Sequence, residues 1–193
     1  NDNMKIILAT HNTNKISEIK SHLKETKIEV ISLLDLKDYE EIIEDGHTFL
    51  ENAIIKAKAI AKKYNTLTLA DDSGLEVSAL NNEPGIYSSR YSGKGDYQNN
   101  LKLLDNLKGI TNRDARFVCC LALVEPNSSI NSFEGVLEGT IAKEVITEQG
   151  FGYDPVFIPN GYNTTLDLLG SNIKNTISHR ANALNKFVDF IKK

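Results

Sequence analysis

The stretch that most constrains this chain is Leu67-Thr68-Leu69-Ala70-Asp71-Asp72-Ser73-Gly74, in which an apolar run reaches two adjacent carboxylates. Leu67 and Leu69, with Gly74 following, predict a short buried strand that delivers Asp71 and Asp72 to a sheet edge or cleft, with a glycine turn at Gly74 and Leu75-Glu76-Val77 continuing as a strand after it. Successive strand side chains face opposite ways, so a regular strand turns only one of the pair into a site. The same residues can equally close a strand and open a turn. Other polar segments must converge on the pair before it reads as a site.

With 193 residues the chain can bury a sizeable core as one domain or as one body with two lobes. No apolar run approaches the ~18–20 residues that cross a bilayer, and no charged segment followed by an apolar core opens the sequence. The reading is of a cytoplasmic protein with no membrane partner. Residues 1–3 read as an extension or expression remnant ahead of a single domain over residues 4–193. A net charge of -4 argues against gripping polymeric nucleic acid through a general basic field. The two cysteines, Cys119 and Cys120, are neighbours; on a strand they face opposite ways and do not bridge, which suits a reducing compartment. The four histidines show no zinc-ligand spacing with them.

Lys5 to Thr10 predicts a strand, followed by the polar loop Thr10-His11-Asn12-Thr13-Asn14-Lys15 and a helix with Ile16, Ile19 and Leu23 on one face. Such a junction offers backbone N–H groups and a helix dipole to an anion, with Lys15 as a point charge; an ordinary capped helix start explains it as well. Glu29 to Ser32 predicts a second strand, and the acidic run Asp38 to Asp45 contains Glu44. Thr48 and Glu51 have capping-box spacing for a helix to about Tyr64, with Asn52 and Lys56 beside its apolar stripe of Ala53, Ala57, Ile60 and Ala61. Asp96 is expected to cap a helix with Leu101 and Leu104 inward. Strands are expected at Ala115–Val124, Asn131–Leu137, Thr140–Ile146 and Val156–Ile158. The fold class is α/β (mixed α+β), a central mixed sheet flanked by helices.

Two further stretches stand out. Gly150-Phe151-Gly152-Tyr153-Asp154-Pro155 holds two aromatics and a carboxylate in a rigid loop, suited to stacking on a planar base or to plugging a core. Lys174 to Arg180 places Lys174, His179 and Arg180 before a C-terminal helix, and cations at a helix N-terminus oppose its dipole, which points to an anionic or polar ligand.

Taken together, the ordered segments resemble the inosine triphosphate pyrophosphatase family, which acts on non-standard purine nucleoside triphosphates. They are T-H-N-T-N-K with Glu18, T-F-x-E-N-A-x-x-K-A from Thr48, A-D-D-S-G from Ala70, P-G-I-Y-S-x-R-Y-S-G from Pro84, G-F-G-Y-D-P from Gly150 and I-S-H-R from Ile177. The resemblance runs from Lys5 to the C-terminal helix. It implies two lobes with an active-site cleft between them on an elongated sheet, and homodimers. It implies Mg²⁺-dependent cleavage of ITP, dITP or XTP between the α- and β-phosphates, which cleanses the nucleotide pool.

By the same resemblance, Asp72, Lys15 and Lys56 are catalytic, and Asp72 with Glu44 holds the metal. Thr10, His11, Asn12, Thr13, Asn14, Lys15, Ser73 and Arg90 bind substrate. Phe151, Gly152, Tyr153, Asp154, Lys174, His179 and Arg180 choose the base. Two local departures are visible. Ile43 stands where the family often has the first of two acids before the glycine matching Gly46, and Asn172-Ile173 replaces acidic residues before Lys174.

Overall fold

A computed structural model describes residues 4–193, so the expected extension at residues 1–3 lies outside the described residues. The elements follow as β1 (Met4–Leu8), α1 (Thr13–Leu23), β2 (Ile28–Ser32), α2 (Phe49–Tyr64), β3 (Thr68–Val77), β4 (Glu83–Pro84), α3 (Asp96–Asn106), β5 (Asp114–Val124), β6 (Ile130–Ile141), β7 (Phe157–Pro159), α4 (Leu166–Leu169), α5 (Ser171–Ile177) and α6 (His179–Ile191). Short 3-10 turns occupy Ser78–Leu80, Gly85–Arg90 and Asp154–Val156. The strands hydrogen-bond in the order β2-β1-β3-β5-β6-β7, with β4 on β3. β1 lies parallel to β2 and β3, whereas β3–β4 and β6–β7 are antiparallel, so the sheet is mixed, as the α/β class requires.

The chain forms two compact units. The first comprises the chain to Asp72 with Cys119–Gly135 and Arg180–Lys193; the second comprises Ser73–Val118 and Val136–His179. In the first unit, Ile16, Ile19 and Leu23 of α1 pack with Leu8, Leu69, Leu121, Leu184 and Phe187, while the small stripe Ala53, Ala57 and Ala61 of α2 packs with Ile7, Ala70 and Ala122. The second unit closes around Leu75, Val77, Leu103, Leu107, Phe117, Tyr153 and Phe157.

Four sequence expectations change. The expected glycine turn at Gly74 does not form, and the strand expected at Leu75–Val77 is the direct continuation of β3, because Leu75 and Val77 bury in the second core and β4 pairs with Glu76 and Val77. The helix near Asp96 is capped by Gly95; Leu104 packs on the second core as expected, but the fully buried positions are Asn99, Asn100 and Leu103, and Leu101 is exposed. A separate strand at Thr140–Ile146 is absent among the described residues; β6 runs unbroken to Ile141, where Thr140 and Ile141 pair with Ile158 and Phe157. Lys174 is not in a loop before the last helix but in the final turn of α5, where a cation complements the dipole.

Gly139 is the close-approach glycine of this sheet. A Cβ there would lie 2.3 Å from Ile158 O and 2.6 Å from Phe157 Cζ, and both are held by β6–β7 pairing. Gly139→Ala is expected to cost about 1–3 kcal/mol, as overpacking does, and to lower the urea midpoint with the m-value unchanged. A wild-type midpoint would mean that β7 yields freely.

Candidate active site

β1 ends at Leu8, and the Ala9 N–H donates to Leu69 O at 2.9 Å, which sets the polar loop beside β3. Thr10 Oγ1 accepts from Asn12 N at 3.1 Å. Asn12 caps α1, its Oδ1 accepting from Asn14 N at 3.0 Å and Lys15 N at 3.1 Å. The cap therefore uses two of the amides that an anion could have engaged, and the exposed Thr13 and Asn14 side chains stand at the same helix start with Lys15. His11 Nε2 donates to Asp38 O at 2.8 Å, tying this loop to the acidic segment. Asp38 is itself anchored by Lys63 and the Tyr64 hydroxyl, whose hydrogen bonds draw its carboxyl down to about 2. A cavity of about 230 Å³ opens here, lined by Thr10, His11, Glu41, Glu44 and Lys56 among others.

α2 starts behind a Thr48 cap, but Glu51 accepts from His47 N at 2.7 Å rather than closing a capping box on Thr48 itself. Asn52 and Lys56 sit within the buried stripe, not beside it. Asn52 Oδ1 accepts from Gly46 N at 2.9 Å, fixing the end of the acidic run. Lys56 Nζ donates to Asp71 O at 2.5 Å and stands 3.5 Å from Glu44 Oε1. A lysine on an apolar helix face is thus explained by polar partners at its tip.

Asp71 and Asp72 divide as strand alternation requires. Asp71 is 1 % exposed, with Lys15 Nζ 3.2 Å from Oδ1 and the Arg180 guanidinium 3.1 Å from Oδ2; Arg180 Nη1 also meets Glu18 at 2.8 Å. Burial alone would raise the Asp71 carboxyl, but Lys15, Arg180 and Lys56 outweigh it and hold it well below the ordinary value. The Cys119 thiol, 3.9 Å from Asp71, is pushed up by burial and then by that carboxylate. Asp72 differs. Burial raises it from the ordinary 3.8 to about 6, against the opposing charges of Lys56 and Lys15, and its Oδ2 is buried with no hydrogen-bond partner among the described residues.

No cluster of three or more His, Cys, Asp or Glu side chains suited to a metal occurs among the described residues. An orphaned Asp72 oxygen and the exposed Glu44 carboxylate fit a hard ion that takes one or two carboxylates and completes its shell with water and phosphate, as Mg²⁺ does.

The second unit groups another set of the expected residues. Tyr153 is core: it is buried and its hydroxyl donates to Ser88 O at 2.6 Å. Phe151 stays half-buried beneath Lys174 Nζ, 4.8 Å from the ring centroid, and Lys174 pairs with buried Asp154 at 2.6 Å. His179 stacks on Phe117 at 4.9 Å and 18°. Arg90 is exposed over the Tyr87 ring at 5.1 Å, and Ser73 lies within β3. The charge conflict expected at the start of α6 is relieved by the pairing of Arg180 with Asp71 and Glu18.

Sequence reasoning missed Asp71 as the common counter-ion, although alternation with Asp72 on an apolar strand signals an inward carboxylate that needs a cation. It also missed Asn99 and Asn100, whose adjacent amides on an otherwise leucine-bearing helix mark buried donors.

The sequence model of the Ham1 family matches residues 6–190. A Bacillus subtilis (strain 168) protein named dITP/XTP pyrophosphatase is 49% identical over 184 residues, covering 93% of this chain and 93% of its own. One of the same name from Acholeplasma laidlawii is 48% identical over 186 residues, covering 96% and 92%. Among solved structures, the Ham1 protein of Staphylococcus aureus aligns with a TM-score of 0.88 at 42% identity, over 97% of this chain and 98% of that one. A match of that extent reaches every polar segment described above, and the chain belongs to the Ham1 family.

Proposed function

We propose that this protein is a nucleoside triphosphate pyrophosphatase that cleaves dITP, XTP and ITP to the monophosphate and pyrophosphate. The observation that carries the reading is the lone Asp72 oxygen, buried and unbonded, in the field of Lys15 and Lys56. A carboxylate raised to about 6 is a stronger base than an ordinary aspartate and still ionised near neutrality, which suits it to orient and deprotonate an attacking water. Lys15, Lys56 and the Thr13 and Asn14 side chains hold the polyphosphate, the two lysines countering charge that grows in the transition state. Asp71 keeps Lys15 in place and does not itself take part in proton transfer. Bound by Asp72 and Glu44, Mg²⁺ would neutralise phosphate charge and polarise the scissile anhydride.

Base choice falls to Phe151 for stacking and to Asp154, Lys174 and His179 for polar contacts, with Arg180 at the same chain segment. Hypoxanthine and xanthine present a 6-oxo acceptor where adenine presents an amino donor, and fixed donors left unpaired by the wrong base discriminate by up to ~10⁴. The protein is also proposed to work in the cytoplasm, beside the nucleotide pool it would act on. Steady-state rates with dITP, XTP, dATP, dGTP and a modified pyrimidine triphosphate, with and without Mg²⁺, test this reading. The expected result is Mg²⁺-dependent turnover favouring dITP and XTP; preference for the pyrimidine, or binding without turnover, would overturn it. The protein is also proposed to be a homodimer, with a light-scattering mass twice the 21.4 kDa of the chain; the monomer mass would refute this.

A further inference from the structure

α3 carries more polar machinery than a packing helix needs. Asn99 and Asn100 are each 1 % exposed. The Asn99 amide donates to Ser88 O at 3.3 Å and Ser89 O at 3.1 Å, while its oxygen accepts from Ser92 N and Ser92 Oγ, both at 2.7 Å. One turn from the helix start, Asp96 and Asn100 lie four residues apart and so share a face. Asp96 Oδ2 accepts from Gly152 N at 2.9 Å, and Asn100 Nδ2 donates to Gly152 O at 3.1 Å.

We infer that Asp96 and Asn100 are positioning residues for base discrimination: together they clamp the two peptide groups flanking Gly152 and so fix Phe151 relative to Asp154. The inference rests on the assignment of Phe151 and Asp154 to base recognition. Gly152 sits at φ +54°, a conformation that glycine adopts freely and also leaves freely. Its N–H belongs to the peptide shared with Phe151, and its C=O to the peptide shared with Tyr153. Holding both planes removes the rotation about Gly152 that would otherwise change the spacing between the Phe151 ring and the Asp154 carboxylate.

The remaining contacts agree. Tyr153 is anchored through its hydroxyl on Ser88 O, and Lys174 spans the Asp154 carboxylate and the Phe151 ring. Asn100 Oδ1 is buried without a hydrogen-bond partner among the described residues, which is costly. A leucine of similar shape would avoid that cost and forgo only the bond to Gly152, so what the amide contributes is that bond. Asp96, at the first position of α3, is favoured there by the helix dipole, and its carboxylate makes a charge-assisted bond.

The test compares full-length wild type, Asp96→Ala, Asp96→Asn and Asn100→Leu by kcat/KM for dITP and dATP, and by amide exchange at Gly152. Asp96→Ala and Asn100→Leu are expected to cut the dITP-to-dATP ratio by roughly 10–100-fold, mainly through KM for dITP, as sub-ångström displacement of a binding group does. Pyrophosphate release should persist, and Gly152 exchange should accelerate in Asp96→Ala. Asp96→Asn keeps the acceptor and should stay close to wild type. Should Asn100→Leu fail to fold, Asp96→Ala, altered at an exposed position, decides alone. An unchanged ratio despite faster Gly152 exchange, or an equal loss on dITP and dATP, would overturn the inference. Wild type without base preference would overturn the proposed function instead, a different result from variants that share an intact wild-type preference.

Discussion

Asp72→Asn is expected to lower kcat for dITP by roughly 10²–10⁴ while raising stability at neutral pH. The amide keeps the shape of the carboxyl but cannot accept a proton from water. The stability half follows from linkage. Asp72 is raised from the ordinary 3.8 to about 6, chiefly by burial, so between those values the folded protein binds its proton more tightly than the unfolded chain. Stability contributed by this group is therefore lost as pH rises from about 4 to about 6, and above that the carboxylate is a standing cost. Removing the charge removes the cost, so the variant should melt higher than wild type at pH 7.5 and show a shallower decline across that window. Near-wild-type turnover, or a lower melting temperature, would separate Asp72 from the role given to it here.

The second large effect lies at Arg180. Arg180 is 2 % exposed and its guanidinium pairs with Asp71 and Glu18, so Arg180→Ala leaves a fully buried Asp71 with one cation fewer. Truncating one member of a buried ionic cluster costs about 3–5 kcal/mol. In a chain of this length that amounts to a melting temperature lower by roughly 6–20 °C. The sign with pH is the reverse of that at Asp72. The Asp71 carboxyl is held below its ordinary value by Lys15, Arg180 and Lys56 against burial, so its contribution is full above about pH 4, where the unfolded chain ionises, and fades as acid protonates the folded form. Arg180→Ala should flatten that acid dependence. Loss of less than about 1 kcal/mol by urea titration would contradict the cluster's structural importance.

Much of this was legible in the residues. Ile16, Ile19 and Leu23 mark the buried face of α1, and Thr48 with Glu51 marks the start of α2, because helix period and cap chemistry are local signals. Alternation correctly separated Asp71 from Asp72. What failed was context. The strand at Leu75–Val77 was legible, but Gly74 reads locally as a turn before it, and only the burial of Leu75 and Val77 shows that β3 stays extended through the glycine. Lys56 reads as lying beside the apolar stripe rather than within it, since nothing in α2 itself reveals that Asp71 O and Glu44 await its tip. Lys174 reads as a helix-start cation only while α5 is invisible, and a seven-residue helix behind Gly170 carries too little periodicity to be found. Tyr153 and Phe151 look alike in the sequence, but only the structure gives one to the core and leaves the other half-exposed.

The central claim is that the paired lysines and the isolated Asp72 carboxylate direct water to the bond between the α- and β-phosphates. The most direct measurement is product stoichiometry in a single turnover of dITP with Mg²⁺, resolving monophosphate, diphosphate, pyrophosphate and orthophosphate. The account predicts one pyrophosphate for each monophosphate, with neither diphosphate nor orthophosphate formed. Release of orthophosphate with the nucleoside diphosphate would contradict it.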